Sequence, residues 1–421
     1  MPDSRSLGRS LGLFGTDPMI GAGLPYWLPA GAVVRHELEE YVHEIERRAG
    51  YRHVHSPVLG KRELYERSGH WAHYRDDMFP PMRLGAEEVV LRPSLCPHHV
   101  LIYRSQQHSH RELPVRIAEL GGMFREEASG VLGGLDRVRA IQLNDAHLFC
   151  RPDQVGAEVH AVLDLIDHVH ADLGIVASRF RLSLAGDGAK YVADPELWRR
   201  SEAALLAVLE ERGRPFEAAR DEAAFYGPKI DVQVRDSAGR ESTLSTVQVD
   251  LHMPARFDLE YVGTDGAAHR PVMVHRSLLG SLERMVAQLL EVHGPALPAW
   301  LAPVQLVVLP VGDEQDAPAR AIADRAIEAG LRAESVAADR GTLAARIRAA
   351  AAVPVVAVVG AREAMEGSMS LRLRSGKRAD GLPEAAALAE VLRIAARPVP
   401  PSGQSSRSLK PSWEAVKPRR S

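Results

Sequence analysis

The sequence predicts an α+β fold, an antiparallel sheet flanked by helices, followed by a small α/β domain. Two observations carry this expectation. Strand-like runs between Tyr51 and Leu251 cluster and meet in hairpin-like turns, the order of an antiparallel sheet. Gly294-Pro295-Ala296-Leu297-Pro298 then punctuates the chain, and beyond it strands and helices alternate. The expected domains are therefore residues 1–298 and 299–396, with a basic Pro/Ser-rich tail, 397–421, expected to be disordered.

Taken in order, residues 1–30 are rich in Gly and Pro and read as loop or irregular strand. From Ala32 to Ala49, Val34, Leu38, Tyr41, Val42 and Ile45 recur at helical spacing. Tyr51 to Val58 alternates like a strand that Pro57 would stop or place at an edge. Glu63 to Gly69 reads as a short helix closed by glycine. Val115–Phe124 and Val138–Phe149 bracket a Gly-rich turn, Gly130 to Gly134, as two arms of an antiparallel hairpin. Asp153–Leu173 and Pro195–Arg212 are amphipathic helices. Tyr226–Val234 and Ser245–Leu251 alternate as strands, and a helix runs from about Leu278 to His293. In the second domain, strands at Val304–Leu309, Arg332–Ser335 and Val353–Val359 alternate with helices at Ala317–Ala329, Thr342–Ala351 and Glu384–Arg393. There are no internal repeats.

Composition bounds the function without choosing it. The 421 residues are 45% hydrophobic and 25% charged, ordinary for a soluble globular protein of two or three domains. A net charge of −3 neither supports nor excludes nucleic-acid binding. Only 2 cysteines occur, which argues against a disulfide framework and suits a reducing cytoplasm. Met1-Pro2-Asp3-Ser4-Arg5 leads into no long apolar run, so no secretory signal or membrane span is expected.

Chemistry concentrates between Arg92 and Cys150 and again near His275. Cys96, His147 and His275 offer one thiolate and two imidazoles, which with a water would complete an open zinc site. Their spacing is too long for a local motif. A lone cysteine is otherwise a small buried hydrophobe, and His147 could equally be a core histidine. Arg125 and Glu127 stand at the end of one hairpin arm, with Arg137 and Arg139 on the other. The four form either a cationic, phosphate-sized concavity or a solvated strand face with cross-strand ion pairs. Arg284 is a planar cation able to stack on a base, or a plain surface arginine.

These residues carry a resemblance. Ser68-Gly69-His70-Trp71, Cys96-Pro97, Phe124-Arg125, Asp145-Ala146-His147, Ala224-Phe225-Tyr226-Gly227-Pro228-Lys229 and His275-Arg276…Gly280-Ser281…Glu283-Arg284 resemble, in order, the signature motifs of class II aminoacyl-tRNA synthetases, specifically the threonyl family. The likeness runs over roughly residues 7 to 395. It implies the class II antiparallel sheet, a homodimer formed around Pro57, and a C-terminal anticodon-binding domain using Arg348, Glu363 and Arg372. It implies ATP with Mg²⁺, threonine and tRNA as substrates. Arg125 would hold the α-phosphate and the amino-acid carboxylate, Glu127 the adenine amino group, Arg137 the outer phosphates, and Arg284 would stack on adenine. Zinc on Cys96, His147 and His275 would receive threonine, with Asp145, Tyr226, Lys229 and Gln248 around it.

The sequence also departs from the family pattern. It opens at what resembles the catalytic domain, so the resemblance implies a form without the N-terminal modules, serine errors being removed by a separate trans-editing protein. Met-Asn before the zinc cysteine is replaced by Ser94-Leu95, and the glycine two residues after it by His98. A phenylalanine becomes Ile141, a glutamine Leu143 and an aspartate Asn144; in the anticodon domain Arg340 and Thr342 differ. These changes keep two further readings open. One is a specialised paralogue activating threonine or another β-hydroxy amino acid for a different acceptor. The other is a catalytically weak, tRNA-binding regulator.

Overall fold

The structure, a computed structural model, describes residues 3–188 and 190–398. The tail expected to be disordered lies, from residue 399 on, outside the described residues; Arg397 itself pairs with Glu37 at 2.9 Å. The chain forms two compact units. Among the described residues, one contains Val42–Gln288 with Thr16–Pro25; the other contains Tyr26–Tyr41 with residues 3–15 and 289–398.

The larger unit is built on an eight-stranded sheet. Its strands are β1 (Arg52–His53), β2 (Val115–Phe124), β3 (Ala140–Cys150), β4 (Arg179–Ser183), β5 (Phe216–Ala219), β6 (Lys229–Arg235), β7 (Glu241–Asp250) and β8 (Val272–Ser277), in the order β5-β4-β6-β7-β8-β3-β2-β1. Only the outermost pairs are parallel. The hairpin of β2 and β3 is the longest pairing, from Val115↔Phe149 to Phe124↔Ala140. Every residue of β8 is buried, as suits a strand covered on both faces.

The sheet is flanked by α1 (Cys96–Arg104), α2 (Val155–Asp172) and α3 (Pro195–Glu211). On α2, Val155, Val159, Val162, Leu163, Ile166 and Val169 make a buried stripe at helical spacing. Asp194 caps α3 by accepting from the Leu197 amide, with Pro195 at the first turn, where its missing N–H leaves nothing unsatisfied. Of the expected helix near the start, observed as Pro29–Arg48, all five marker residues are at most 2% exposed.

Several features differ from the sequence expectation, among them a helix at Ser4–Ser10, capped by Asp3, in the stretch read as loop or irregular strand. The strand expected at Tyr51–Val58 lasts two residues. After Val54 donates to the Ala118 carbonyl, the Ser56 amide turns to the Glu119 carboxylate instead of a strand. A small three-stranded sheet of Leu59–Lys61, Met82–Leu84 and Glu87–Leu91 was not anticipated. Nor was α1, whose start, Cys96-Pro97-His98-His99, is wholly buried.

The smaller unit carries β9 (Leu306–Pro310), β10 (Ala333–Ser335), β11 (Val355–Val359), β12 (Ser368–Leu373) and β13 (Arg378–Pro383), ordered β10-β9-β11-β12-β13. The first three are mutually parallel and fully apolar strands β9 and β11 are completely buried. The expected α/β alternation stops there. Strands β12 and β13 form an antiparallel hairpin at the edge, polar and exposed on β13, so its sequence has no apolar period to read.

Candidate active and metal site

Strand register in the larger unit places four expected site residues in one row. Lys229 on β6 pairs with Gln248 on β7, Gln248 with His275 on β8, and His275 with His147 on β3. Residues directly opposite one another project from the same face of a sheet. Cys96, at the start of α1, meets that face. Its Sγ and one ring nitrogen each of His147 and His275 lie within 4.8 Å of one another, all three residues buried. His147 Nε2 stands 3.0 Å from His275 Nδ1.

Each donor is fixed from behind. His147 Nδ1 is 2.7 Å from His99 Nδ1, and His275 Nε2 is 2.8 Å from Asp250 Oδ2. Burial pushes the Cys96 thiol up from its ordinary range, although the Ser94 hydroxyl 3.1 Å away pulls it back. Burial also holds His147 well below the ordinary imidazole value, so its ring is neutral. One thiol and two imidazoles converging in a buried site are the donor set of a zinc ion with an open coordination position. The residues fit that group.

Around these donors, Tyr226 stacks on the His275 ring at 4.7 Å between centroids and donates to Gln248 Oε1 at 2.8 Å. Asp145 approaches His147 Nε2 at 3.7 Å, and burial raises its carboxyl above the usual range. His70 sits between Ser68 Oγ and Ser94 Oγ, 2.8 Å from each. Burial, with the nearby His275 and Arg125, pushes its pKa down to about 3. Lys229 lies 3.2 Å from Asp231, whose Oδ2 also accepts from Ser183 and Arg181.

The other end of the site is cationic. Arg125 Nε is buried without a hydrogen-bond partner among the described residues, its guanidinium 5.5 Å from the Tyr74 ring. Arg284 donates to the Thr243 carbonyl at 3.1 Å. Its pKa is lowered first by burial and then by the charge of Arg125. Arg137 pairs with the buried Glu127 at 2.8 Å. Arg139, by contrast, is bound to the Glu127 and Ala22 carbonyls and serves the loop. Of the alternatives the sequence left open, the cross-strand ion pair is present at Arg137–Glu127, while Arg125, Arg137 and Arg284 line one cavity that Arg139 does not. A cavity of about 320 Å³ joins the cluster to the metal-type donors. All the expected site residues line it except His147, which is fully buried beneath.

Two departures from the family pattern have structural reasons. Leu95 is completely buried and occupies the room left by Gly121, where a Cβ would lie 2.5 Å from the leucine. Asn144 donates to Glu46 at 2.8 Å while its Oδ1 accepts from the Leu278 amide at 3.2 Å, a dual role that needs an amide. Gly280 has φ +65° and sits where a Cβ would meet the Leu244 carbonyl at 2.5 Å; only glycine fits. In the smaller unit Glu363 is engaged structurally, accepting from the Gly360 amide and Ser370, whereas Arg348 is exposed.

Residues 82–293 match the tRNA synthetase class II core domain (G, H, P, S and T), and residues 305–394 match an anticodon-binding domain. A solved RNA-binding domain of threonyl-tRNA synthetase from Cryptosporidium parvum Iowa II is 32% identical, with a TM-score of 0.88 covering 95% of this chain and 100% of that one. The chain belongs to the threonyl-tRNA synthetase family. Threonine–tRNA ligases of Bacillus velezensis and Geobacillus kaustophilus are each 48% identical to this family member, over 88% and 92% of its length. It spans 58% and 60% of theirs. Prolyl-tRNA synthetase from C. parvum, at 13% identity and a TM-score of 0.70 over 93% of this chain and 74% of that one, shares the fold. No helix among the described residues of this threonyl-family chain is long and apolar enough to cross a membrane.

Sequence reasoning missed the groups behind the metal-type donors, His99, Glu119 and Asp250, and Asp231 beside Lys229. His99 had a signal, standing three residues after Cys96 and hence on the same helical face. The carboxylates had none, because only strand pairing brings them there.

Proposed function

We propose that this chain activates L-threonine with ATP and transfers it to tRNA(Thr), working as a cytoplasmic homodimer. The single observation that supports this most is one cavity lined by Cys96 and His275, with His147 buried beneath them, and by Arg125, Arg137 and Arg284. Zinc held by Cys96, His147 and His275 supplies, when bound, Lewis acidity that a β-hydroxyl can satisfy and an isosteric methyl cannot. Asp145, Gln248 and Tyr226 orient the amino group. Lys229, steadied by Asp231, adds positive charge on the same row.

In this reading the threonine carboxylate attacks the α-phosphorus of ATP in line, and pyrophosphate leaves. Arg125 bridges the carboxylate and the α-phosphate, and its unpartnered Nε is free to do so. Arg137 takes the outer phosphates together with Mg²⁺, Arg284 stacks on adenine, and Glu127 accepts from the adenine amino group. No side chain acts as a nucleophile; the site works by positioning and charge stabilisation. A ribose hydroxyl of the tRNA 3′ end then attacks the adenylate carbonyl, releasing AMP. A neighbouring recess of about 620 Å³ beside Glu127 contains Trp71, with Arg75 against its ring, a base-stacking surface for that end.

A second reading rests on the cavity wall. Ser94 and Leu143 both line it and exchange a polar for an apolar group, and the reverse, relative to the family. That favours a paralogue serving another β-hydroxy amino acid or another acceptor. Amino-acid-dependent ATP–pyrophosphate exchange, with zinc quantified, separates the readings. Exchange preferring threonine over serine and valine supports the first. Preference for a different hydroxy amino acid supports the second. No exchange in folded, zinc-loaded protein refutes both and leaves a tRNA-binding regulator.

A further inference from the structure

The two imidazoles of the metal-type site face one another in a way that hydrogen bonding between them does not explain. Asp250 Oδ2 accepts from His275 Nε2 at 2.8 Å, and its other oxygen is occupied by the His252 and Met253 amides. A carboxylate only accepts, so the proton of a neutral His275 is on Nε2 and its Nδ1 is a bare lone pair. The same logic runs from the opposite side through one more ring. Glu119 Oε2 lies 3.1 Å from His99 Nε2, which places the His99 proton there and leaves its Nδ1 an acceptor. His147 Nδ1, 2.7 Å away, must then donate, and its Nε2 is bare too. Two lone pairs thus confront each other across 3.0 Å, with Cys96 Sγ close by. Such an arrangement is repulsive without a cation and favourable around one.

We propose that Glu119 and His99 are positioning residues that set the tautomer of the metal ligand His147 through a carboxylate–imidazole–imidazole relay. The inference rests on the zinc reading of the site. Glu119 cannot turn to release the relay, because Arg92 holds Oε1 at 2.9 Å and Ser56 holds the carboxylate through both its amide (3.2 Å) and its hydroxyl (2.6 Å). Arg92 is itself anchored on the Gly122 carbonyl at 2.6 Å. His99 is completely buried and Glu119 nearly so, so water does not substitute for either. The short stretch from Arg92 to His99 therefore holds the anchor, the ligand Cys96 and the relay ring.

The experiment compares the full-length chain with His99→Leu, His99→Asn, Glu119→Gln and, as the direct counterpart on the other ligand, Asp250→Asn. Zinc affinity is measured by competition with a chromophoric chelator, and the cobalt-substituted proteins are compared by their visible spectra; circular dichroism establishes folding. His99→Leu is expected to weaken zinc binding about 10- to 100-fold, the range seen when such orienting groups are removed, and to shift the cobalt bands. His99→Asn keeps an acceptor near the position of Nδ1 and should stay within about threefold of the parent. Glu119→Gln, which retains shape but can present a donor, should lose about tenfold and decides the matter should His99→Leu not fold. Unchanged affinity and cobalt spectrum in folded His99→Leu or Glu119→Gln overturns the relay. So does His99→Asn losing as much as His99→Leu, which would mark a packing role only. Parent protein that binds no zinc removes the metal reading itself, a result distinct from failure of the relay.

Discussion

Replacing Glu46 by glutamine tests the buried support of the site. Glu46, near the end of the Pro29–Arg48 helix, is 0% exposed and faces Arg276 at 2.7 Å, Asn144 Nδ2 at 2.8 Å and His53 Nε2 at 2.7 Å. Burial alone would raise its carboxyl, yet Arg276, His53 and Asn144 hold it below the ordinary range. Arg276 is equally buried, its guanidinium 4.3 Å from the Tyr51 ring. Glu46→Gln keeps the volume and one acceptor but strands the Arg276 charge in a dry interior, and removing one partner of such a pair costs about 3–5 kcal/mol. Since a whole domain is stable by only about 5–15 kcal/mol, the loss should move a urea midpoint far without changing the slope. A double replacement, Glu46→Met with Arg276→Met, removes both charges and should recover at least half of the loss. A loss below about 1 kcal/mol in Glu46→Gln, or a double variant no more stable than the single one, would refute the assignment of a charged, mutually dependent pair.

Arg125→Ala removes a guanidinium from the anionic end of the site and should slow ATP–pyrophosphate exchange about 10²- to 10³-fold; a loss under tenfold would dismiss Arg125 as the bridge between the reacting groups. Asn144→Asp sets a second carboxylate against Glu46 and should destabilise by about 1–3 kcal/mol in urea unfolding, so an unchanged midpoint contradicts the amide's dual role. His170 is buried on α2 against Ser245 Oγ at 2.8 Å, and burial pushes its pKa down to about 4. The unfolded chain therefore takes up this proton near the ordinary value of about 6.5, and stability is full above that pH and lost as pH falls toward 4. From pH 7 to pH 5 the loss works out at about 2 kcal/mol. Replacing His170→Gln should flatten the acid limb of the melting curve by that amount, and an unaltered pH dependence would show that His170 contributes none of it.

Local texture made much of this molecule legible. Helical period placed the Pro29–Arg48, α2 and α3 helices within a few residues, because a buried stripe repeats along each. The β2–β3 hairpin was visible from its alternating arms. What lacked local texture was missed. Helix α1 opens with Cys96, a proline and two histidines, all buried, so its first turn shows neither an apolar stripe nor a polar face. In the edge hairpin, exposed β13 has no apolar period, and the short alternation of Met369, Leu371 and Leu373 on β12 went unread. Glu46 read as one more charge on a helix, since nothing nearby in sequence announces Arg276. The metal-type donors were nameable as residue types, but their convergence depends on register across β3, β8 and β7, and His147 and His275 are 128 residues apart. Resemblance supplied that pairing in advance; spacing did not.

On β8 the metal-type donor His275 and the buried cation Arg276 are consecutive, so adjacent side chains serve the candidate site and the buried ion pair with Glu46. Divergence has little freedom there, because a shift that retuned the metal would also disturb the ion pair. New substrate preferences are more accessible on the cavity wall, where Ser94 and Leu143 stand. A library confined to the wall should yield altered selectivity in folded protein, while one placed on the β8 floor should chiefly yield inactive aggregates. The sheet thus separates what a lineage can vary from what it must keep, at the scale of a single residue.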